Sequence, residues 1–158
     1  MGAVFIPEHH DILSFKAFTS WIAGLNKLDD DLWTKPISEG KWSVSEIVSH
    51  ILNWDNHIIS QILPAVRKGK NITFPDIETY NQKASQYAKS GITQSALIDE
   101  VIRTREHLVA QLLEMPDDLY HAHLNYSLAF LIQEFVLHDD QHKEQIESFV
   151  NREERVIK

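Results

Sequence analysis

Chain breakers constrain this fold more than any other feature. The chain has 158 residues but only five glycines and five prolines. Most of them fall between segments whose apolar residues recur at helical spacing. In a helix interior Gly costs about 1 kcal/mol and Pro about 3 kcal/mol relative to Ala. Their placement therefore marks where helices stop. Four long amphipathic stretches remain, and the expected fold is all-α, a four-helix bundle. At this length one domain over 1–158 with a sizeable core is expected.

The first stretch, Glu8 to about Asp31, carries Ile12, Phe15, Ile22 and Leu25 on one stripe. Pro36 and Gly40 break the connection from Trp33 to Trp42. Ser43-Val44-Ser45-Glu46 then reads as a capping box: the Ser hydroxyl accepts from the Glu46 amide, and the Glu46 carboxylate reaches back. Helix 2 is expected from Ser43 to about Lys68, with Ile47, Ile51, Trp54, Ile58 and Ile62 inward and His50 on the same face. Pro64 is expected to end or kink it. Residues 64–92 are too long for a hairpin between neighbouring helices and read as a crossover, with a short helix from about Asp76 to Lys89. Such a crossover lets helices 2 and 3 run in the same direction. Helix 3 begins near Thr93, carries Arg105 on its apolar stripe and is stopped by Pro116. Asp117 to Tyr126 reads as a loop. Ser127 caps the last helix, which is expected to run to about Asn151 with Leu128, Leu131, Phe135, His138, His142, Ile146 and Phe149 inward.

That last line holds the candidate chemistry. His138 and His142 are four apart, so both imidazoles leave one helix face. Two histidines spaced this way make half of a transition-metal site. Asp139 follows His138 where the metalloprotease motif His-Glu-x-x-His has its glutamate, so that motif is absent. By spacing alone, partly buried histidines hydrogen-bonded to neighbours remain the simpler reading. The chain has no Cys, which excludes disulfides and thiolate ligands and leaves His, Asp and Glu to hold any metal. There is no Ser-His-Asp arrangement and no Gly-rich phosphate loop.

Net charge is −8 with histidines neutral. Generic nucleic-acid binding needs a cationic surplus, so no nucleic-acid partner is expected. The basic run Arg67-Lys68-Gly69-Lys70 reads as the charged end of helix 2. No secretory leader and no apolar run of membrane-spanning length is evident. No membrane association and a cytoplasmic location are the expectations.

Two stretches resemble the DinB/YfiT-like superfamily. Lys41-Trp42-Ser43-Val44-Ser45-Glu46 leading to His50 and Trp54 is similar to that family's second helix. His138-Asp139-Asp140-Gln141-His142 leading to Ile146 is similar to its fourth. Phe74 to Asn81, with Thr104 and Arg105, resembles its third-helix region. The likeness runs from about Ile12 to Phe149.

The resemblance implies up-down-down-up helix order. It also implies one divalent metal ion per chain, Zn or Ni, held by His50, His138 and His142. A homodimer, a small-molecule substrate and, in some members, a low-molecular-weight thiol cofactor are implied as well. The function so implied is a metal-dependent enzyme that activates a thiol or water for transfer to, or hydrolysis of, a small molecule. A thiol S-transferase and a hydrolase are both within that range. A non-catalytic metal-binding or stress-response module, or a metal-free structural dimer, are the alternatives. His57 is a candidate fourth ligand or site-lining acid/base, and Asn53 and Asp139 are further candidates to line the site. Asp139, Asp140 and Glu134 are candidate acceptors for ligand N–H groups, although Asp139 and Asp140 are expected to face solvent. No residue is assigned as catalytic base.

Overall fold

The computed structural model describes residues 7–157, with side chains described over 10–155. In chain order the helices are α1 (Pro7–Gly24), α2 (Asp30–Thr34), α3 (Val44–His57), α4 (Leu63–Arg67), α5 (Ile77–Ala88), α6 (Gln94–Glu114), α7 (Asp117–Tyr120) and α8 (Leu128–Ile157). No strand occurs among the described residues. A π-helical turn, Ile58–Ile62, joins α3 to α4. The bundle is therefore α1, the α3–α4 rod, α6 and α8.

Helix directions follow from which residues share a core layer. One apolar cluster joins the start of α1 (Ile12, Phe15), the end of the α3–α4 rod (Ile62, Val66), the end of α6 (Leu112) and the start of α8 (Leu128). The other joins the end of α1 (Ile22), the start of α3 (Ile47), the start of α6 (Leu97) and the end of α8 (Ile146, Phe149). The order is thus up-down-down-up. The parallel pair is connected by residues 68–93, in which α5 packs along α3. Among the described residues, no helix is long and apolar enough to cross a membrane.

Local chemistry explains the boundaries. Ser43 Oγ accepts from the Glu46 amide at 3.2 Å and Glu46 Oε1 accepts from the Ser43 amide at 3.1 Å, completing the capping box. Asp76, Thr93 and Ser127 cap α5, α6 and α8 through side-chain oxygens. Gly40, at φ 73°, closes the turn that lets the Ile37 amide reach the Trp42 carbonyl at 2.9 Å.

Four expectations need correction. The first stretch is not continuous to Asp31: it ends at Gly24, makes a 3₁₀ turn, and restarts as α2. There the Asp29 side chain accepts from the Leu32 amide at 2.9 Å, a local cap that competes with helix continuation. Pro64 does not end helix 2, which continues through it into α4. The π turn widens the backbone just before it, with the Leu63 amide donating to the Ile58 carbonyl, and so accommodates a residue that has no N–H and a bulky ring. The 117–126 loop contains α7. The last helix runs six residues beyond Asn151, to Ile157.

Between the two apolar clusters lies a buried polar layer. Arg105 of α6 is 1% exposed. Its Nε and Nη2 donate to Asp55 of α3 at 2.7 and 3.1 Å, and its Nη1 donates to Asp139 of α8 at 2.8 Å and to the Phe15 carbonyl of α1 at 2.9 Å. Its guanidinium also stacks 3.6 Å from the Phe15 ring centroid. One cation therefore ties together all four long helices. Asp139 is buried, not solvent-facing as its sequence position suggested. One positive charge faces two carboxylates, and burial pushes both acids upward, Asp139 to about 6, against the opposing pull of Arg105.

Candidate metal centre

His50 enters from α3, about two turns after the cap at Ser43. His138 and His142 enter from α8, one turn apart. Their Nε2 atoms converge: His138 Nε2 lies 3.3 Å from His50 Nε2 and 3.1 Å from His142 Nε2. One ligand atom from each of the three lies within 4.8 Å of the others. His50 is buried and the other two are half-buried.

The outward-facing nitrogens decide what this convergence means. His50 Nδ1 donates to Asn81 Oδ1 at 3.1 Å, and His142 Nδ1 donates to Gln145 Oε1 at 2.9 Å. A neutral imidazole has one N–H. With that proton held on Nδ1, Nε2 of both rings presents a lone pair toward His138. A single proton on His138 Nε2 cannot satisfy two such lone pairs equally. A cation at the centre satisfies all three. Zinc–nitrogen bonds of about 2.0–2.1 Å in tetrahedral array set nitrogens roughly 3.3 Å apart, which the 3.3 and 3.1 Å separations match. The residues fit a divalent ion with an open position.

The electrostatics agree with neutral rings. Burial, then the neighbouring imidazoles, pushes His50 down to about 3. Burial, His142 and the nearby Arg105 guanidinium push His138 down to about 4. Burial also lowers His142, opposed by its bond to Gln145. Three unprotonated nitrogens at neutral pH are what a metal needs.

Other sequence candidates lie elsewhere. His57 is buried, but its Nε2 donates to the Thr73 carbonyl at 2.9 Å, and its ring packs among Trp54, Phe74 and Tyr80. Asn53 is half-buried; its carbonyl accepts from the Tyr80 hydroxyl, and it does not line the cleft beside the triad. Asp139 points to Arg105 rather than to an imidazole. Sequence reasoning missed Asn81 and Gln145, the two side chains that orient ligand rings. Gln145 sits three residues after His142 on the same helix face, a signal that was available. Asn81 reaches His50 only because α5 folds back along α3. Trp42 and Trp54, read as core, flank the His50 ring at centroid distances of 5.1 and 6.4 Å.

Together the fold and the cluster define a helical bundle with a three-imidazole centre built from its second and fourth long helices. The chain belongs to the DinB superfamily, whose family model matches residues 17–146. Among solved structures it is similar to YfiT from Bacillus subtilis, described as a probable metal-dependent hydrolase with an unusual four-helix bundle topology. The identity is 16%, the TM-score 0.73, and the match covers 96% of this chain and 91% of that one. It is also similar to the colibactin self-resistance protein ClbS, solved in complex with double-stranded DNA, at 16% identity and TM-score 0.74, over 90% of this chain and 94% of that one. Likeness at this identity shows the fold. No curated protein matches the chain.

The ClbS complex corrects one expectation. A net charge of −8 disfavours generic nucleic-acid binding and leads to the expectation of no such partner, yet a protein of this fold is solved with duplex DNA. Total charge is a sum over the surface, whereas phosphate contacts are made by a local patch. That expectation does not hold for this fold.

Proposed function

We propose that the protein is a metal-dependent enzyme that holds one divalent ion on His50, His138 and His142 and hydrolyses a small molecule. The observation that carries this reading is the convergence of three Nε2 atoms, two of them left with a free lone pair because Asn81 and Gln145 accept from the Nδ1–H of the same rings. A divalent ion on three imidazoles supplies a Lewis acid with an open position, which polarises a substrate oxygen and lowers the pKa of water.

The chain's own residues do the rest. Asn81 and Gln145 fix the tautomer and aim of two rings. The Arg105–Asp139 pair sets the rotation of α8, so that His138 and His142 face α3. Trp42 and Trp54 pack against the His50 ring and hold its orientation. Transfer to a low-molecular-weight thiol rests on family likeness alone, and no observation in this chain favours it over water.

The test begins with metal analysis of protein purified without a histidine tag. About one divalent ion per chain is expected, falling below one-tenth of that in His50→Ala and His138→Ala. Metal-loaded and chelator-stripped protein are then compared on a panel of neutral esters and amides, with and without a thiol. Hydrolysis that needs the metal and no thiol supports the reading. Full metal content in both histidine variants refutes the ligand set. Metal binding without turnover of any substrate makes the protein a binding module. Because ClbS was solved with duplex DNA, a short duplex belongs in the binding panel.

A further inference from the structure

A cleft of about 470 Å³ opens beside the triad, between α3, the start of α5 and α8, with His50 and His138 in its wall. That volume lies within the range of about 300–1,000 Å³ typical of small-molecule sites. Most of the remaining wall is apolar: Trp54, Phe74, Leu131 and Phe135, with Ile77 and Leu137 at the rim; Gln141 and Glu134 of α8 are its polar side chains. The Phe74 and Phe135 rings stand 6.4 and 6.0 Å from Trp54. Phe74, Ile77 and Leu137 are 41%, 50% and 52% exposed, a concentration of apolar surface at one opening.

Among the described residues, one charged side chain outside the triad lines this cleft. Glu134 sits one turn before His138 on the same face of α8 and has no hydrogen bond or ion pair among the described residues. The cations Lys41 and Arg152 line an adjoining polar groove on the far side of Gln141, not the cleft itself.

We propose that the cleft binds the flat aromatic group of a neutral small molecule, and that Glu134 discriminates against anionic ones. Calling that molecule the substrate rests on the metal-centre reading; its binding does not. The walls bury the apolar group without supplying any cation to pair with a carboxylate. Two like charges about 6 Å apart at a partly solvated site cost on the order of tenfold in affinity.

The matched probes are 2-naphthamide and 2-naphthoate, which share a ring system and differ in charge. Each is titrated by calorimetry into chelator-stripped protein at pH 8, where the imidazoles are neutral and no metal attracts the acid. The amide is expected to bind about tenfold tighter than the acid. Glu134→Gln is expected to bring the two within about threefold. Phe74→Ala, at an exposed position, should weaken both by about tenfold. No saturable amide binding, an unchanged affinity in Phe74→Ala, or a full charge preference retained in Glu134→Gln each overturns the proposal. So does a dimer that Leu137→Asp dissociates and that alone blocks the amide, since the cleft is then an interface between copies. Zinc loading that tightens naphthoate alone reports on the triad, so failure of the cleft and failure of the metal centre are distinguishable.

Discussion

Replacing Arg105 with leucine removes the one cation that joins the four long helices. Three acceptor groups lose their donors: the Asp55 carboxylate, the Asp139 carboxylate and the Phe15 carbonyl. An unsatisfied buried polar group costs about 1–3 kcal/mol. Three of them give roughly 3–9 kcal/mol, offset by about 2 kcal/mol from burying a leucine side chain. Protonation of the orphaned carboxylates removes part of the remainder, so a net loss of about 4 kcal/mol at pH 7.5 is expected, in line with broken buried pairs. Domains commonly have only about 5–15 kcal/mol in total, and such a loss is readily measured by urea unfolding.

The pH dependence distinguishes this cause from a simple packing defect. Burial already raises Asp139 to about 6 and raises Asp55, and Arg105 opposes both shifts. Without Arg105 their folded pKa values rise further above the unfolded value of about 3.9. A raised folded pKa means that the folded state binds protons first as pH falls. The variant therefore regains stability relative to the parent between pH 7.5 and 5, by at least about 1 kcal/mol. Replacing Arg105, Asp55 and Asp139 together with leucine should return stability to within about 2 kcal/mol of the parent, because no buried charge is then left alone. A loss below about 1 kcal/mol in Arg105→Leu, or an equal loss at both pH values, would refute the account.

Further outcomes follow from the same geometry. Asn81→Ala removes the acceptor on His50 Nδ1 and should weaken metal affinity about 10–100-fold with little change in fold, read by competition with a chromogenic chelator. His50 and His138 titrate near 3 and 4 in the folded chain, below the unfolded value of about 6.5. The unfolded chain therefore takes up protons first, and metal-free stability falls as pH drops from about 6.5 toward 3. His50→Gln should flatten that fall in urea titrations at pH 7.5 and 4.5. By the same shifts, His50 and His138 should release almost no protons on zinc loading at pH 6, so release in lightly buffered calorimetry should stay well below three protons per ion. Ser43→Ala removes half of the capping box and should cost about 1 kcal/mol in unfolding free energy, with metal content unchanged.

Local signals in the chain suffice for the four long helices and for the pairing of His138 with His142, though not for every helix boundary. Few chain breakers, a capping box at Ser43 and stripes at helical spacing are local signals. They led to an all-α bundle with His138 and His142 on one inward face, because helical periodicity fixes which side chains share a face. The 64–92 connection, by its length alone, indicated two parallel helices.

Tertiary structure decided what those faces meet. The sequence placed Asp139 in solvent because a charge beside His138 needs no partner on an isolated helix. Its burial is explained by Arg105, 34 residues earlier in the chain, since a buried guanidinium demands acceptors that only packing brings to it. Arg105 on an apolar stripe was itself the legible sign that such acceptors exist. Asn81 came to His50, and Phe74 to Trp54, only through the fold of the crossover, and those long-range contacts leave no periodic trace. The Nε2 convergence is likewise a tertiary fact: spacing places two imidazoles on a face, and only the packing of α3 against α8 brings the third within reach.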